Sequence, residues 1–456
     1  MMQNANTARE AVRELAEPYP RIALLTPYTG GNLGDAVIQD SMIANLRRRM
    51  PNAQFLGITL GCDNFLKQHG TGAFPLLASA MPVSNRPRGW AEGVPSNRVK
   101  RLVRRVPGLV PLLKIARGLA TRIFRETLHS FKAYRLLRTQ DLLLISGGGQ
   151  LDDEWGGPWE FPFALWKWAL LARLARVPCA AASVGACKIS STPSRVLLSL
   201  TLRMCCYRSY REAKTKAIAA SLLPRAKNDS VVPDLAFSLP DSEFPSPVGS
   251  IRKIARGRPV IALSPISYGK PGNWPTPNHA VHDRYLHQLA RVLSCLPRRG
   301  YFVIVVCSSL GDDESVIPDL LAHLGNELKQ SLDEQIHFPT IRTWRDLVAV
   351  LREADYLIAS RLHGTILGFM TQTPTVAISF DPKVDWVMED LLQTDYLLHI
   401  RDFTAEGVLD ALDRIKLRRE AVVDQIVSYR TSALFTSARQ YDTLAKLVPM
   451  PYQSHN

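Results

Sequence analysis

One unit recurs along this chain and limits what it can fold into. A short apolar run ends in a turn of glycines or polar residues, and a stretch with helical spacing follows. Ile22–Leu25, Phe55–Thr59, Leu142–Ile145 and Pro178–Val184 are such runs in the first half; Val260–Ser264, Tyr301–Cys307, Asp355–Ala359 and Thr375–Phe380 are such runs in the second. Runs of this kind suit strands buried on both faces, as in parallel sheets covered by helices. Strand–helix alternation on this scale predicts an α/β fold with doubly wound sheets. At 456 residues the chain is too long for one ordinary domain.

Strand, glycine-rich turn and helix, as in Ile22–Leu25, Gly30-Gly31-Asn32-Leu33-Gly34-Asp35 and Ala36–Met50, open a Rossmann-like unit. The spacing is neither GxGxxG nor a P-loop. Prolines at 240, 245, 247 and 259 mark a linker. The expected layout is an N-terminal extension 1–20, a Rossmann-like domain 21–240, a linker 241–259, a second Rossmann-like domain 260–400 and closing helices 401–456. Shorter signals fill the rest: Trp159–Arg176 and Asp385–Leu392 read as helices, and Ile336–Phe338 then Leu347–Leu351 continue the alternation.

Composition narrows the partners. The formal charge is +15, which points to anionic partners. Between residues 86 and 138 fourteen lysines and arginines face two acids, Glu92 and Glu126, so this stretch carries most of the surplus. Val103, Val106, Val110, Leu113, Leu119, Ile123 and Leu128 give it an apolar face. It reads either as a basic amphipathic helix on an anionic membrane or as a solvated insertion packed on the protein. Nucleic acid is not indicated, since no binding motif or aromatic–basic interleaving occurs. Seven scattered cysteines without a CxxC suggest a reducing compartment and neither a disulfide framework nor a zinc knuckle. The first 20 residues hold no apolar core run of a secretory signal. The nearest approach to a membrane span, Phe161–Val177, is broken by Lys167, Arg173 and Arg176. Cytoplasmic residence is expected, with the basic stretch able to hold the protein at the inner face of the membrane.

The candidate chemistry sits in the turns. Ser360-Arg361-Leu362-His363-Gly364 joins a strand to a helix, the position where open α/β sheets bind ligands. An arginine fork suits a carboxylate or phosphate, a histidine can move a proton near neutral pH, and the helix start presents free N–H groups. The same residues can instead cap the helix and pair with core carboxylates. Asp35 either caps its helix or faces the cleft, where it can orient a hydroxyl. Gly147-Gly148-Gly149 allows close approach of a ligand or of a neighbouring turn. Arg211 can reach the same cleft as Arg361, or form a surface pair with Glu212. Lys383 after Asp381-Pro382 offers a point charge for phosphate. Asp152, Asp153 and Glu154 can act as a base, hold a metal or remain solvated. The polar turn Ser308–Asp313 resembles those that receive phosphate or ribose. No spacing compels a metal site, and none is expected.

Taken as a set, Gly31-Asn32-Leu33-Gly34-Asp35, Gly147-Gly148-Gly149, Tyr210-Arg211-Glu212, Pro233-Asp234-Leu235-Ala236-Phe237, Ser360-Arg361-Leu362-His363-Gly364 and Asp381-Pro382-Lys383 resemble the polysaccharide pyruvyl transferase family in order and approximate spacing. The resemblance implies two Rossmann-like domains facing a cleft, similar to the GT-B glycosyltransferases. It implies transfer of pyruvate from phosphoenolpyruvate onto two hydroxyls of a sugar in an exopolysaccharide, a cell-wall polymer or a lipid-linked precursor, with no further cofactor. His363 and Asp35 are then the expected catalytic residues. Arg211, Arg361, Lys383, Asn32, Gly148 and Gly149 are the expected substrate contacts. The basic stretch lies outside the shared pattern. The alternatives are a GT-B-type nucleotide-sugar glycosyltransferase in the same cleft and an inert member acting as a membrane scaffold.

Overall fold

The computed structural model describes residues 19–80, 109–154, 156–187, 189–274, 277–325 and 332–449. The expected extension 1–20 and the first part of the basic stretch, up to residue 108, lie almost wholly outside these.

Two parallel sheets carry the chain. The first orders its strands β3-β2-β1-β4-β5-β6-β7. They are β1 (Arg21–Leu25), β2 (Gln54–Thr59), β3 (Gly72–Pro75), β4 (Leu142–Ser146), β5 (Cys179–Val184), β6 (Tyr207–Tyr210) and β7 (Ser230–Val231). The second runs β10-β9-β8-β11-β12-β13. Its strands are β8 (Val260–Ser264), β9 (Phe302–Val305), β10 (Ile336–His337), β11 (Tyr356–Ala359), β12 (Thr375–Ser379) and β13 (Leu397–His399). Every strand pair is parallel, with β1 beside β4 (Ile22 opposite Leu142) and β8 beside β11 (Tyr356 opposite Ile261). Strands β4, β5, β8, β9, β11 and β12 are buried at every position, which is why they read as unbroken apolar runs.

Three strands escape the sequence pattern. β6 is Tyr-Arg-Ser-Tyr, β3 is Gly-Ala-Phe-Pro and β13 has three residues. Each is short and lies toward an edge, where pairing with a formed neighbour rather than intrinsic preference fixes the conformation.

The helices that matter below are α1 (Leu33–Arg49), α2 (Leu109–Leu137), α3 (Phe161–Ala175), α4 (Leu362–Met370), α5 (Pro382–Asp390) and α6 (Arg419–Ala445). The expected linker is partly helical, with Ser250–Ala255 forming two turns. Helix α6 returns to the first sheet. Asp442 pairs with Arg49 (2.6 Å), Tyr441 shares a hydrogen bond with Ser238 (2.9 Å), and Gln440 accepts from Tyr207 (3.3 Å). Buried Tyr441 and Leu444 join the core that runs on through both domains. Among the described residues no helix is long and apolar enough to cross a membrane.

Each sheet reverses strand order once, between β1 and β4 and between β8 and β11. In doubly wound sheets the carboxyl ends at such points are where ligands bind. The turns after β1, β4 and β11 are among those the sequence singles out.

Candidate active site

The turn after β1 enters α1 through Asn32, whose side chain accepts from Gly34 N (3.0 Å) and caps the helix. The amide oxygen of Asn32 thus satisfies a helix end, and its backbone bridges Ser309 of the other domain. Asp35 is not the cap. It lies half-buried in the first turn of α1, and desolvation raises its pKa against the opposing pull of His363. A protein wall that disfavours charge makes this carboxyl readier to take a proton than an ordinary aspartate.

Gly34 explains how His363 reaches this place. A Cβ on Gly34 would lie 1.9 Å from His363 Cγ, so the imidazole packs flat against bare backbone. The two halves of the site, from α1 and from the start of α4, touch here. The domains are held by Leu33 N donating to Ser308 O (3.0 Å) and Leu310 N donating to Gly31 O (2.8 Å). Trp344 Nε1 adds a hydrogen bond to Asp40 (2.7 Å).

Arg211, at the end of β6, is fully buried rather than at the surface. Its Nε donates to Glu212 (2.8 Å) and its Nη1 to Asp234 (3.1 Å), and both carboxylates outweigh burial to raise its pKa. Its Nη2 is buried without a partner and lies 2.8 Å from where a Cβ on Gly185 would stand. Glycine at 185 makes room for the guanidinium. Asp234 accepts from Ala236 N (2.9 Å) and stands 3.9 Å from His363 Nε2, which has no hydrogen-bond partner. Glu212, Arg211, Asp234 and His363 thus form one buried chain of polar groups.

Arg361 turns the other way. Its Nε donates to both oxygens of Asp313 (2.8 and 2.7 Å), and its side chain stays about one-fifth open to solvent. Asp313 is fully buried, and desolvation pushes its pKa up to about 6 against the pull of Arg361. Beside it the start of α4 meets two serines. The Oγ atoms of Ser264 and Ser308 lie 3.3 and 3.4 Å from the Cβ direction of Gly364. Both hydroxyls, and that of Ser267, are buried without partners. Free N–H groups at a helix start and unpaired hydroxyls are the equipment of an anion site.

Lys383 completes the ring from α5. Its Nζ is 3.8 Å from Asp381 Oδ2 and 3.4 Å from the Cβ direction of Gly149. Burial pulls its pKa down, and Asp381 with Cys187 outweighs that to leave it raised. Asp152, Glu154 and Cys187 bring possible ligand atoms within 4.8 Å of one another. The sequence offered Asp152 and Glu154 among carboxylates able to hold a metal, and Cys187 joins them only in the tertiary structure. Lys383 already lies against it as countercharge, lowering the pKa values that burial raises at all three. Asp153 stands apart from it, accepting from Ser190 and Ser191 N.

Gly148 adopts φ +67°, and its carbonyl accepts from Gly185 N (2.7 Å). A Cβ on it would meet Asp35 Oδ1 at 3.6 Å. The glycine turn therefore packs on a neighbouring turn and lines the recess of Asp35 at once. Asp313, Ser264, Ser308 and Cys187 were not singled out individually by sequence; only the polar turn Ser308–Asp313 gave a sign of two of them.

The sequence profile of polysaccharide pyruvyl transferases matches residues 32–382. The chain belongs to this family. No curated relative matches it by sequence. Solved structures share its fold at low identity. S. aureus MnaA with UDP is 10% identical with TM-score 0.54, covering 93% of this chain and 96% of that one. The UDP-GlcNAc 2-epimerase of Neisseria meningitidis bound to UDP-GlcNAc is 10% identical with TM-score 0.54, over 94% and 100%. Anabaena Alr3699/HepE in complex with UDP is 12% identical with TM-score 0.53, over 94% and 100%. These likenesses establish a GT-B-like fold of two Rossmann-like domains. As a member of the pyruvyl transferase family the protein is an enzyme of sugar chemistry, and the matched span holds the residues of the ring described above except Lys383, which follows its last residue.

Proposed function

We propose that this family member transfers pyruvate from phosphoenolpyruvate to two hydroxyls of one sugar unit, forming a cyclic ketal and releasing phosphate. One observation carries the reading: His363, with a buried and unpartnered Nε2, stands close to Asp35, a carboxyl of raised pKa, and to Asp234, which holds the buried Arg211. Phosphoenolpyruvate needs charge partners for a carboxylate and a phosphate. The phosphate suits the start of α4 with Ser264, Ser308 and Arg361; the carboxylate suits Lys383 and the free Nη2 of Arg211.

His363 then gives its proton to C3 of the enol. The C2–C3 π pair forms the new C–H bond, and positive charge develops at C2. A sugar hydroxyl attacks C2 and gives its proton to Asp35. The C–O bond to phosphate breaks with its electron pair leaving on phosphate, and the second hydroxyl attacks C2 to close the ketal, giving its proton back to the imidazole of His363. Asp234 holds the imidazole and the arginine in register throughout. No further cofactor is required. The acceptor is an exopolysaccharide or cell-wall saccharide, free or lipid-linked, met in the cytoplasm or at the inner face of the membrane.

The test is phosphate release from phosphoenolpyruvate with a panel of free and lipid-linked sugars. Acceptor-dependent release that disappears in Arg361→Ala and His363→Ala supports the reading; H363A with a near-normal rate removes His363 from it. The second reading is a nucleotide-sugar glycosyltransferase, favoured by the neighbours solved with UDP or UDP-GlcNAc. Saturable binding of a UDP-sugar, with none of phosphoenolpyruvate, would establish it instead.

A further inference from the structure

Helix α2 has two apolar faces where a surface helix needs one. His129, Ala133 and Leu137 are buried against the first domain, and Glu126 turns inward to pair with Lys167. The opposite side bears Ile123, Phe124, Leu128 and Phe131, which are 58, 54, 40 and 59% exposed. At 3.6 residues per turn these four fall within about 140° of one another. Four large apolar side chains side by side on one exposed face are unlike scattered surface leucines.

The charged residues that α2 itself places on this face are basic. Lys132, Arg135 and Arg138 are exposed along it, and Arg135 lies over the Phe131 ring (5.9 Å). The only acid between residues 109 and 138 is Glu126, which faces the other way. Seven further lysines and arginines precede the helix between residues 86 and 108, against the single acid Glu92. Trp159, 60% exposed, adds an aromatic next to Glu160, the partner of Arg122 on α2 (3.1 Å). An apolar stripe edged by cations and an indole is complementary to an anionic bilayer surface, which offers acyl chains beneath a negative headgroup layer. A protein partner would need a matching apolar patch ringed by acids.

We infer that the outer face of α2 docks this protein onto an anionic lipid surface. The placement would bring the cleft rim near the bilayer. Trp159 follows Glu154 of the Asp152–Glu154–Cys187 group by five residues, and Arg125 donates to Ala78 O beyond the carboxyl end of β3 (2.9 Å).

Flotation of the full chain with vesicles tests this, using phosphatidylcholine alone and phosphatidylcholine mixed with phosphatidylglycerol. The full chain is expected to float only with the mixed vesicles and to be released by salt. The double variant I123Q/F131Q is expected to lose roughly tenfold or more in partitioning, with an unchanged unfolding temperature. K132Q/R135Q is expected to weaken binding to the mixed vesicles while leaving the fold intact. No flotation with mixed vesicles, or flotation that both doubles leave untouched, would overturn the inference. Self-association that I123Q/F131Q abolishes, without vesicle binding, would assign the face to a second copy and overturn it equally.

Discussion

Two arginines stand at strand ends on either side of one cleft, and their surroundings differ. Arg211 is fully buried, held by Glu212 and Asp234, with both carboxylates in turn satisfied by Thr215 and Ala236 N. Arg361 is partly open and has one close partner, Asp313, which is itself easily protonated. A cation locked between two buried carboxylates gives up little of its pairing to a ligand, because breaking it leaves charges in a poor solvent. A cation facing a single carboxylate of raised pKa can exchange that partner for an incoming anion. On the proposed reading, Arg211 then serves chiefly to position Asp234 and His363, offering a ligand only its spare Nη2, and Arg361 is the arginine free to exchange its partner for an anion.

The contrast breaks most directly at Arg211. Arg211→Ala strands two buried carboxylates and should cost about 3–5 kcal/mol of stability along with activity. Arg361→Ala should cost less, about 1–3 kcal/mol, while raising the phosphoenolpyruvate requirement steeply. Denaturant unfolding of both variants compares them; equal losses would erase the distinction.

Gly34→Ala sharpens the contrast from the side of His363. The added Cβ overlaps the imidazole, so the ring must move by an ångström or more, with a loss of about 10²-fold in turnover. Folding should persist, because α1 accepts alanine readily. Turnover of the variant beside its unfolding temperature measures both parts.

The third effect is in pH. Asp313 has a folded pKa of about 6, above its ordinary 3.8. The folded state then binds the proton more tightly, so the group's stabilising contribution is full below about 4 and is lost as pH rises through 6. Protonation also frees Arg361, so anion affinity should tighten as pH falls from 7 toward 5.5. Asp313→Asn should remove the part of that dependence which the ligand's own titration does not explain. Identical pH profiles of wild type and D313N would count against partner exchange at Arg361.

The smallest effect is expected at Asn32. Asn32→Ala removes a helix cap and should cost about 1 kcal/mol, whereas Asn32→Asp keeps the cap and should be near neutral for stability. A large change in donor affinity with N32D would return Asn32 to the substrate contacts.

Much of the frame was legible in the residues. Strands buried on both faces must be apolar throughout, so the central strands announce themselves, and their order of strand, turn and helix leaves few topologies. The turn residues Asp35, Gly148, Arg211, Arg361, His363 and Lys383 were legible too, because glycine, arginine and histidine directly after a buried strand have few structural uses. The short strands β3, β6 and β13, at or next to a sheet edge, were not, since neighbour pairing forms them.

The sequence by itself determined the two sheets, their switch points and the residue types delivered there. Only the tertiary structure decided who meets whom. Arg211 and Arg361 read alike along the chain, and one is a locked cation while the other is exchangeable because of Asp234 and Asp313, residues 23 and 48 positions away. Gly34 and His363 are more than 300 residues apart and in van der Waals contact. Charge pairing, desolvation and excluded volume depend on distance in space, which a one-dimensional pattern of strands and turns fixes only after the two domains have closed on each other.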